Sequence, residues 1–426
     1  MKRRAVIVGG ARTPFVKAFG EFLELDSIAL GVAATRALLT QSGVAMRDID
    51  SIVWGGVILP GMAPNLAREI ALDVGLPREV EGMTVTRACA SGLQAVTLAA
   101  AAIERGEADV VIAGGSDSTS NAEIKLPQKI VHALAPVAFG KATPGDLVGV
   151  LAQLMPIGEI LPRMPKIAER TTGQVMGEAA EDMARRNEIS RQAQDELALR
   201  SHQRAAAAIA SGRFDDEVHP VETPSGRWVH ADTIVRGDTS LEALARLKPV
   251  FANDGTLTAG NSSPLTDGAA AVLLMSEERA RSLGMKPRAA FKSWAYVGVD
   301  PADQLLMGPA LAIPRALDRA GMELAHIDLV DLHEAFAAQV LSVLKMLGST
   351  AFARARLDRG RAVGDVGSDR LNVHGGSIAL GHPFGATGAR MVTTMANELQ
   401  RSDKQTAILG ICAAGGLGAA AILERA

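Results

Sequence analysis

The sequence predicts a layered α/β fold made of two similar halves, with a long segment inserted into the first. Three observations carry that prediction. Apolar runs at residues 4–8, 49–56, 108–115 and 267–275, the first two running into glycine turns at Gly9-Gly10 and Gly55-Gly56, alternate with stretches of helical spacing, as in a sheet covered by helices. The order of elements then repeats: Ala37 to Gly43, five residues and Ile49-Asp50 are echoed by Arg315 to Gly321, five residues and Ile327-Asp328. The helix-then-strand order of residues 89–115 likewise returns at 385–412, and repetition at this scale means two half-cores packed together, not a solenoid. Finally, from about residue 116 to 250 the pattern changes, with Pro, Gly and Lys gathered around apolar clusters in 125–165.

Composition narrows the function. A chain of 426 residues is two to three domains long, and 48% hydrophobic content with 21% charge suits a globular protein with a sizeable core. A net charge of −3 and 3% aromatic residues remove the electrostatic and stacking case for nucleic acid. The two cysteines, Cys89 and Cys412, are far apart and no CxxC or HExxH occurs, which argues against a metal site. Residues 1–10 have a basic opening and a short apolar run, the mark of a first strand and not of a signal peptide. No run reaches the length of a membrane span. A reducing cytoplasmic compartment with free thiols is therefore expected.

Taken in order, residues 11–15 form a loop, and a helix over 26–41 starts at an Asp26 or Ser27 cap and stops at Gly43. A strand at 49–56 and a helix at 64–72 follow. Leu93, Val96, Ala100 and Ile103 have helical spacing, so Cys89 sits just before a helix that runs to about Arg105. Inside the insertion, 177–186 and 190–210 are helical and 232–238 is a loop. Its amphipathic pieces suit a cover over substrate, a partner contact or a membrane surface, and a solvated lid with its own small core is the plainer account. The strand at 327–332 leads into an amphipathic helix marked by Phe336, Val340, Leu344 and Leu347.

Four stretches put a reactive group at a strand end or helix start, where ligand sites of open α/β sheets gather. They are Cys89 among Ala88, Ala90, Ser91 and Gly92; His333-Glu334-Ala335-Phe336; the run from Asn372 through Gly375-Gly376-Ser377 to Gly381-His382-Pro383; and Cys412-Ala413-Ala414-Gly415-Gly416. The N–H groups and dipole of a helix start favour a thiolate at Cys89. A thiol, an imidazole and a second thiol support a two-step acyl transfer: one sulfur becomes acylated, a histidine holds its proton, and the other sulfur shuttles a proton. Taken singly, each cysteine is as well explained as a small buried residue. His382, wedged between Gly381 and Pro383, has little structural use. His202, His219 and His230 are assigned no role.

In this order, and together with Arg12-Thr13-Pro14 and Gly260-Asn261-Ser262-Ser263, these stretches resemble the thiolase family along nearly the whole chain. The resemblance implies an α/β/α/β/α fold of two βαβαβ-type halves with an inserted loop domain that helps bind coenzyme A. It implies the boundaries 1–118 and 251–283 for the N-terminal half, 119–250 for the insertion and 284–426 for the C-terminal half. Cys89 would be the acylated nucleophile, His382 its activating partner and an oxyanion-hole donor, and Cys412 the acid and base toward the second thioester. The backbone N–H groups of Cys89 and Ala414 would form the other oxyanion hole. Ser263, Met176 and Phe336 would contact the CoA thioester. No cofactor is implied beyond coenzyme A and acyl-CoA as substrates.

Two departures narrow the subtype. Many thiolases carry Asn where this chain has His333, and biosynthetic relatives have Cys-Gly-Gly-Gly where this chain has Cys412-Ala413-Ala414-Gly415. With the long insertion, both resemble the β-subunit of the trifunctional β-oxidation complex and its bacterial counterparts. That implies thiolytic cleavage of 3-ketoacyl-CoA, a homodimer or dimer of dimers, and an α-subunit partner with hydratase and dehydrogenase activities. Peripheral membrane contact through the insertion is a further expectation. The alternatives are a short-chain acetoacetyl-CoA thiolase working in the condensation direction and, more remotely, a non-catalytic thiolase-fold lipid-binding protein.

Overall fold

A computed structural model describes residues 3–124, 126–140 and 168–426. The apolar clusters expected at 148–151 and 160–161 lie outside the described residues. Two compact units are formed, one from Met1–Asn121 with Ala168–Ala426 and the other from Ala122–Ile167.

The larger unit opens with β1 (Ala5–Arg12), β2 (Val16–Lys17), α1 (Ser27–Ser42), β3 (Ser51–Gly55), α2 (Leu66–Val74), β4 (Glu81–Val85), α3 (Ser91–Arg105) and β5 (Val110–Asp117). In the smaller unit the described residues form α4 (Gln128–Ala138). The chain continues with α5 (Met176–Arg186), α6 (Arg191–Ala210), the hairpin of β6 (Val221–Glu222) and β7 (Trp228–Val229), α7 (Leu241–Ala245), β8 (Thr266–Ser276) and α8 (Glu277–Ser282). Next come β9 (Ala289–Gly298), α9 (Gly308–Ala320), β10 (Leu329–Leu332), α10 (Ala337–Leu347) and α11 (Thr350–Arg356). The last elements are α12 (Ser377–Leu380), α13 (Phe384–Arg401), β11 (Thr406–Ala413) and β12 (Leu417–Arg425).

The main sheet runs β10-β11-β12-β9-β1-β8-β5-β3-β4, with β2 on β8. Its two parts mirror one another. β3 and β5 pair in parallel, β5 and β8 antiparallel, and β8 and β1 antiparallel. β10 and β11, β11 and β12, and β12 and β9 repeat those three relations in the same order. The halves join where β1 pairs β9, at Val6 with Ala290 and Ile7 with Ala289.

The internal repeat is visible down to its caps. Asp26 accepts a hydrogen bond from the Ala29 N–H, and Gly43 ends α1 in the left-handed region at φ 66°; Gly321 ends α9 the same way at φ 64°. Only glycine adopts that conformation without strain. α3 and α13 form the middle layer, burying Val96, Ala100, Ile103, Ala389, Val392 and Leu399 against strands of both half-sheets. α1 and α2 cover the outside of the first half, while α9 and α10 cover the second. This is the five-layer α/β/α/β/α order expected.

The glycines after the first apolar run differ from the expectation. Gly9-Gly10 do not form a turn but lie inside β1, and Gly114-Gly115 lie inside β5, within the strand expected at 108–115. A Cβ on Gly10 would come within 2.2 Å of the Thr393 hydroxyl, and one on Gly115 within 2.0 Å of the Gly385 carbonyl. They let α13 lie directly on strand backbone. The strands β4, β9 and β12 are additions that the apolar runs of the sequence do not announce.

Candidate active site

The close approach of α3 and α13 creates the site. A Cβ on Gly92 would stand 2.3 Å from the Gly385 carbonyl oxygen, so the first turns of the two helices touch through backbone. Cys89 lies just before α3 and His382 just before α13, and the contact brings them together. The donor atoms of Cys89, His333 and His382 all lie within 4.8 Å of one another. The imidazole centroids of His333 and His382 are 4.1 Å apart. His333 is the first residue after β10, and Cys412 is near the end of the neighbouring strand β11. Cys412 is near enough to Cys89 that the charge of one raises the other's thiol pKa. The structure thus gathers all four residues selected from sequence.

The loop before α3 is held open by its own side chains. Ala88 has φ 46°, a conformation costly for a residue with a Cβ. Ser91 supports it: its hydroxyl accepts from the Arg87 N–H at 2.7 Å and donates to the Ala88 carbonyl at 2.6 Å. The Arg87 guanidinium donates to Gln94 at 2.8 Å and lies over the Tyr296 ring at 4.6 Å. Beyond Cys412, Gly415 and Gly416 at φ 82° and 66° make the tight β11–β12 turn, which aims the Ala414 N–H at the Cys89 sulfur.

Each imidazole has one nitrogen tied and one free. Nδ1 of His382 lies 2.6 Å from the Thr387 hydroxyl, and Nδ1 of His333 lies 3.0 Å from the Ser377 hydroxyl. Nε2 of each ring is buried with no hydrogen-bond partner among the described residues. Behind Ser377, the buried Arg390 donates to Asp331 at 3.3 Å and reaches Ser377 at 3.5 Å. Glu334 accepts from the Ser201 hydroxyl at 2.6 Å, the Asn372 amide at 2.6 Å and the Ile378 N–H at 3.3 Å, fastening the His333 loop to α6 and to the 372–378 loop.

Burial sets the resting protonation state. It pushes the Cys89 thiol up to about 12; the N–H groups of Ala414 and Cys89 work against this, and the Asp117 charge adds to it. The helix-start effect expected to favour a thiolate is therefore outweighed by desolvation. Burial lowers His382 to about 3, helped by the Arg390 charge, and holds His333 well below its ordinary value. Cys412 is pushed well above its ordinary value by burial and by Cys89. At neutral pH the cluster is two thiols beside two neutral imidazoles, a set suited to proton transfer around a nucleophilic sulfur.

Ser263, half-buried, donates its N–H to the Ala335 carbonyl at 2.9 Å, which docks the 260–263 loop beside His333. Phe336 meets Phe251 edge-on at 5.9 Å. Met176 opens α5 and packs against the core that contains Phe336. His202 accepts from the Arg236 N–H, and His230 stacks on Trp228. Thr387, Asn372, Asp331 and Arg390 received no role from sequence. Thr387 had a legible signal, a hydroxyl in the first turn of the helix that follows His382.

Mirrored half-sheets meeting over a buried cysteine–histidine cluster define the class of protein, an acyltransferase. The chain belongs to the thiolase family: the thiolase N-terminal domain family matches residues 5–278 and the thiolase C-terminal domain family matches residues 285–425. A 3-ketoacyl-CoA thiolase of Yersinia pestis (strain Pestoides F) is 45% identical over 423 residues, spanning 99% of this chain and 97% of the relative. The enzyme of the same name from Yersinia pseudotuberculosis serotype O:1b (strain IP 31758) matches equally. Among solved structures, the Bacillus anthracis acetyl-CoA acetyltransferase superposes with TM-score 0.84 at 33% identity, over 100% of this chain and 99% of that one. Human mitochondrial 3-ketoacyl-CoA thiolase gives 0.83 at 33% identity, over 99% of each chain. Among the described residues, no helix is long and apolar enough to cross a membrane.

Proposed function

We propose that this thiolase uses coenzyme A to cleave 3-ketoacyl-CoA into acetyl-CoA and a shortened acyl-CoA through an acyl-Cys89 intermediate. The observation that carries the reading is the Cys89 sulfur grouped with two imidazoles whose Nε2 atoms have no partner among the described residues. As sulfur attacks the 3-keto carbon, the thiol proton passes to His382, so the thiolate never exists free in a desolvated site. The oxygen that becomes negative on the acylated carbon is met by the N–H groups of Cys89 and Ala414. The C2–C3 bond then breaks, and Cys412 protonates the acetyl-CoA enolate, whose oxygen faces His333 and His382. Coenzyme A next gives its thiol proton to the Cys412 thiolate and attacks the acyl group, and Cys89 leaves with the proton from His382. Protons balance over the cycle.

The same reading makes the protein a dimer, with β4 at the contact. β4 is the last strand of the sheet, is short and lies at the surface, and its Met83 is 47% exposed. Sedimentation of wild type and a Met83→Lys variant checks this, with a shift toward monomer expected.

The test of the reaction is a thiolysis assay over short-, medium- and long-chain 3-ketoacyl-CoA, run beside condensation of acetyl-CoA. Cleavage across chain lengths, lost in Cys89→Ala, supports the proposal. Condensation without cleavage of longer chains transfers it to the acetoacetyl-CoA alternative, and an active Cys89→Ala protein ends the nucleophile assignment.

A further inference from the structure

We propose that Cys89, His333 and His382 also form an inhibitory site for a soft divalent cation, with Zn2+ as the type. Their donor atoms lie within 4.8 Å of one another and offer one sulfur and two nitrogens, a set that soft and borderline metals prefer. Both histidines are nearly fully buried, and the Nε2 atom of each has no hydrogen-bond partner among the described residues. Each Nδ1 is held by a hydroxyl, from Ser377 at 3.0 Å and from Thr387 at 2.6 Å. Ligating imidazoles are usually oriented in this way through the second nitrogen.

Tetrahedral zinc with ordinary bond lengths places sulfur and nitrogen donors roughly 3.5 Å apart. Metal binding requires the observed spread to close to that value, a movement that falls chiefly to Cys89, the least buried of the three. Binding replaces the S–H bond with an S–metal bond and releases the proton to water, and a water completes the fourth position. His333 decides the matter. An asparagine there, as in the thiolases this chain departs from, supplies no strong zinc ligand and leaves only two donors. The occupied site has no free sulfur, so cation and acyl thioester exclude one another.

The proposal goes beyond the thiolysis reading, and its test measures metal uptake, so either can fail alone. Purified protein is titrated with Cd2+, following the thiolate-to-cadmium charge-transfer band in the ultraviolet, and with Zn2+ by equilibrium dialysis. One ion per chain is expected. The band disappears in Cys89→Ser and survives in Cys412→Ser, which is decisive because the chain has two cysteines. His333→Asn weakens Zn2+ binding at least about tenfold, the scale on which even supporting groups move metal affinity. Circular dichroism verifies that the variants fold, and Zn2+ slows iodoacetamide labelling of Cys89 in wild type independently of any variant. A band that survives Cys89→Ser, or His333→Asn binding as tightly as wild type, overturns the proposal.

Discussion

The Thr387 hydroxyl stands 2.6 Å from Nδ1 of His382, reaching back from the first turn of α13 to the loop that precedes it. This contact fixes the ring's orientation and leaves Nε2 as the nitrogen turned to the cluster. Thr387→Val keeps the shape and deletes the hydroxyl. The kcat of thiolysis should fall by about one to two orders of magnitude, within the worth of a positioned acid–base group. KM should change little, and Thr387→Ser should restore most of the rate.

Burial, and not the helix start, governs the resting Cys89. With burial raising the thiol to about 12 and lowering His382 to about 3, the neutral thiol–imidazole pair is favoured over thiolate–imidazolium in the free enzyme. Alkylation of Cys89 by iodoacetamide should therefore rise continuously from about pH 6 to about pH 9, the range where low-pKa catalytic cysteines already plateau. A plateau near neutrality would contradict this electrostatic picture.

Cys412 is buried and feels the charge of Cys89. If Cys412 serves as the proposed acid and base toward the second thioester, Cys412→Ala should still accumulate acyl-Cys89 from acyl-CoA, detectable as an added mass. Its turnover should drop by about two orders of magnitude or more. Failure to acylate would move Cys412 into the first half-reaction.

Gly92→Ala places a methyl group 2.3 Å from the Gly385 carbonyl oxygen. Overpacking of this kind costs about 1–3 kcal/mol, measurable by denaturant unfolding. Activity should suffer more than stability, because the clash separates the two helix starts that carry Cys89 and His382. A misplacement of about 1 Å is worth on the order of a hundredfold in rate.

His202 gives a pH signature away from the cluster. Burial, and then the Arg236 charge, lower it to about 4, whereas the unfolded chain titrates near its ordinary 6.5. The unfolded state therefore binds the extra proton, and stability present above about pH 6.5 is lost as pH falls toward about 4. His202→Gln should make unfolding free energy less acid-sensitive by about 2 kcal/mol at pH 5 relative to pH 7.

The half-repeat was legible because caps and apolar periods are local: Asp26, Gly43 and Gly321 announce their roles within a few residues of chain. Cys89, His333, His382 and Cys412 were legible because each stands at an element boundary amid small residues. The support was not. Asp331, Arg390 and Glu334 act through partners as much as 133 positions away, and nothing near them in sequence marks a buried charge. The misplaced turn has the same origin. Gly9-Gly10 look like a chain reversal locally, yet Gly10 serves a helix that arrives from the far end of the chain.

The mirrored pairing has one more consequence. β3 and β5 align Trp54 with Gly114 as β10 and β11 align Leu332 with Gly410, so His333 matches Gly55 and Cys412 matches Ser116. The tight turn of Arg87 and Cys89 is matched by that of Val373 and Gly375, so the counterpart of the nucleophilic sulfur is a hydrogen atom. Ser116, for its part, is occupied by Trp54 and the Ser27 carbonyl. The molecule repeats the strand pairing of its scaffold but not its chemistry. The strand ends of one half carry His333 and Cys412, while the matching positions of the other half are Gly55 and a Ser116 engaged in packing.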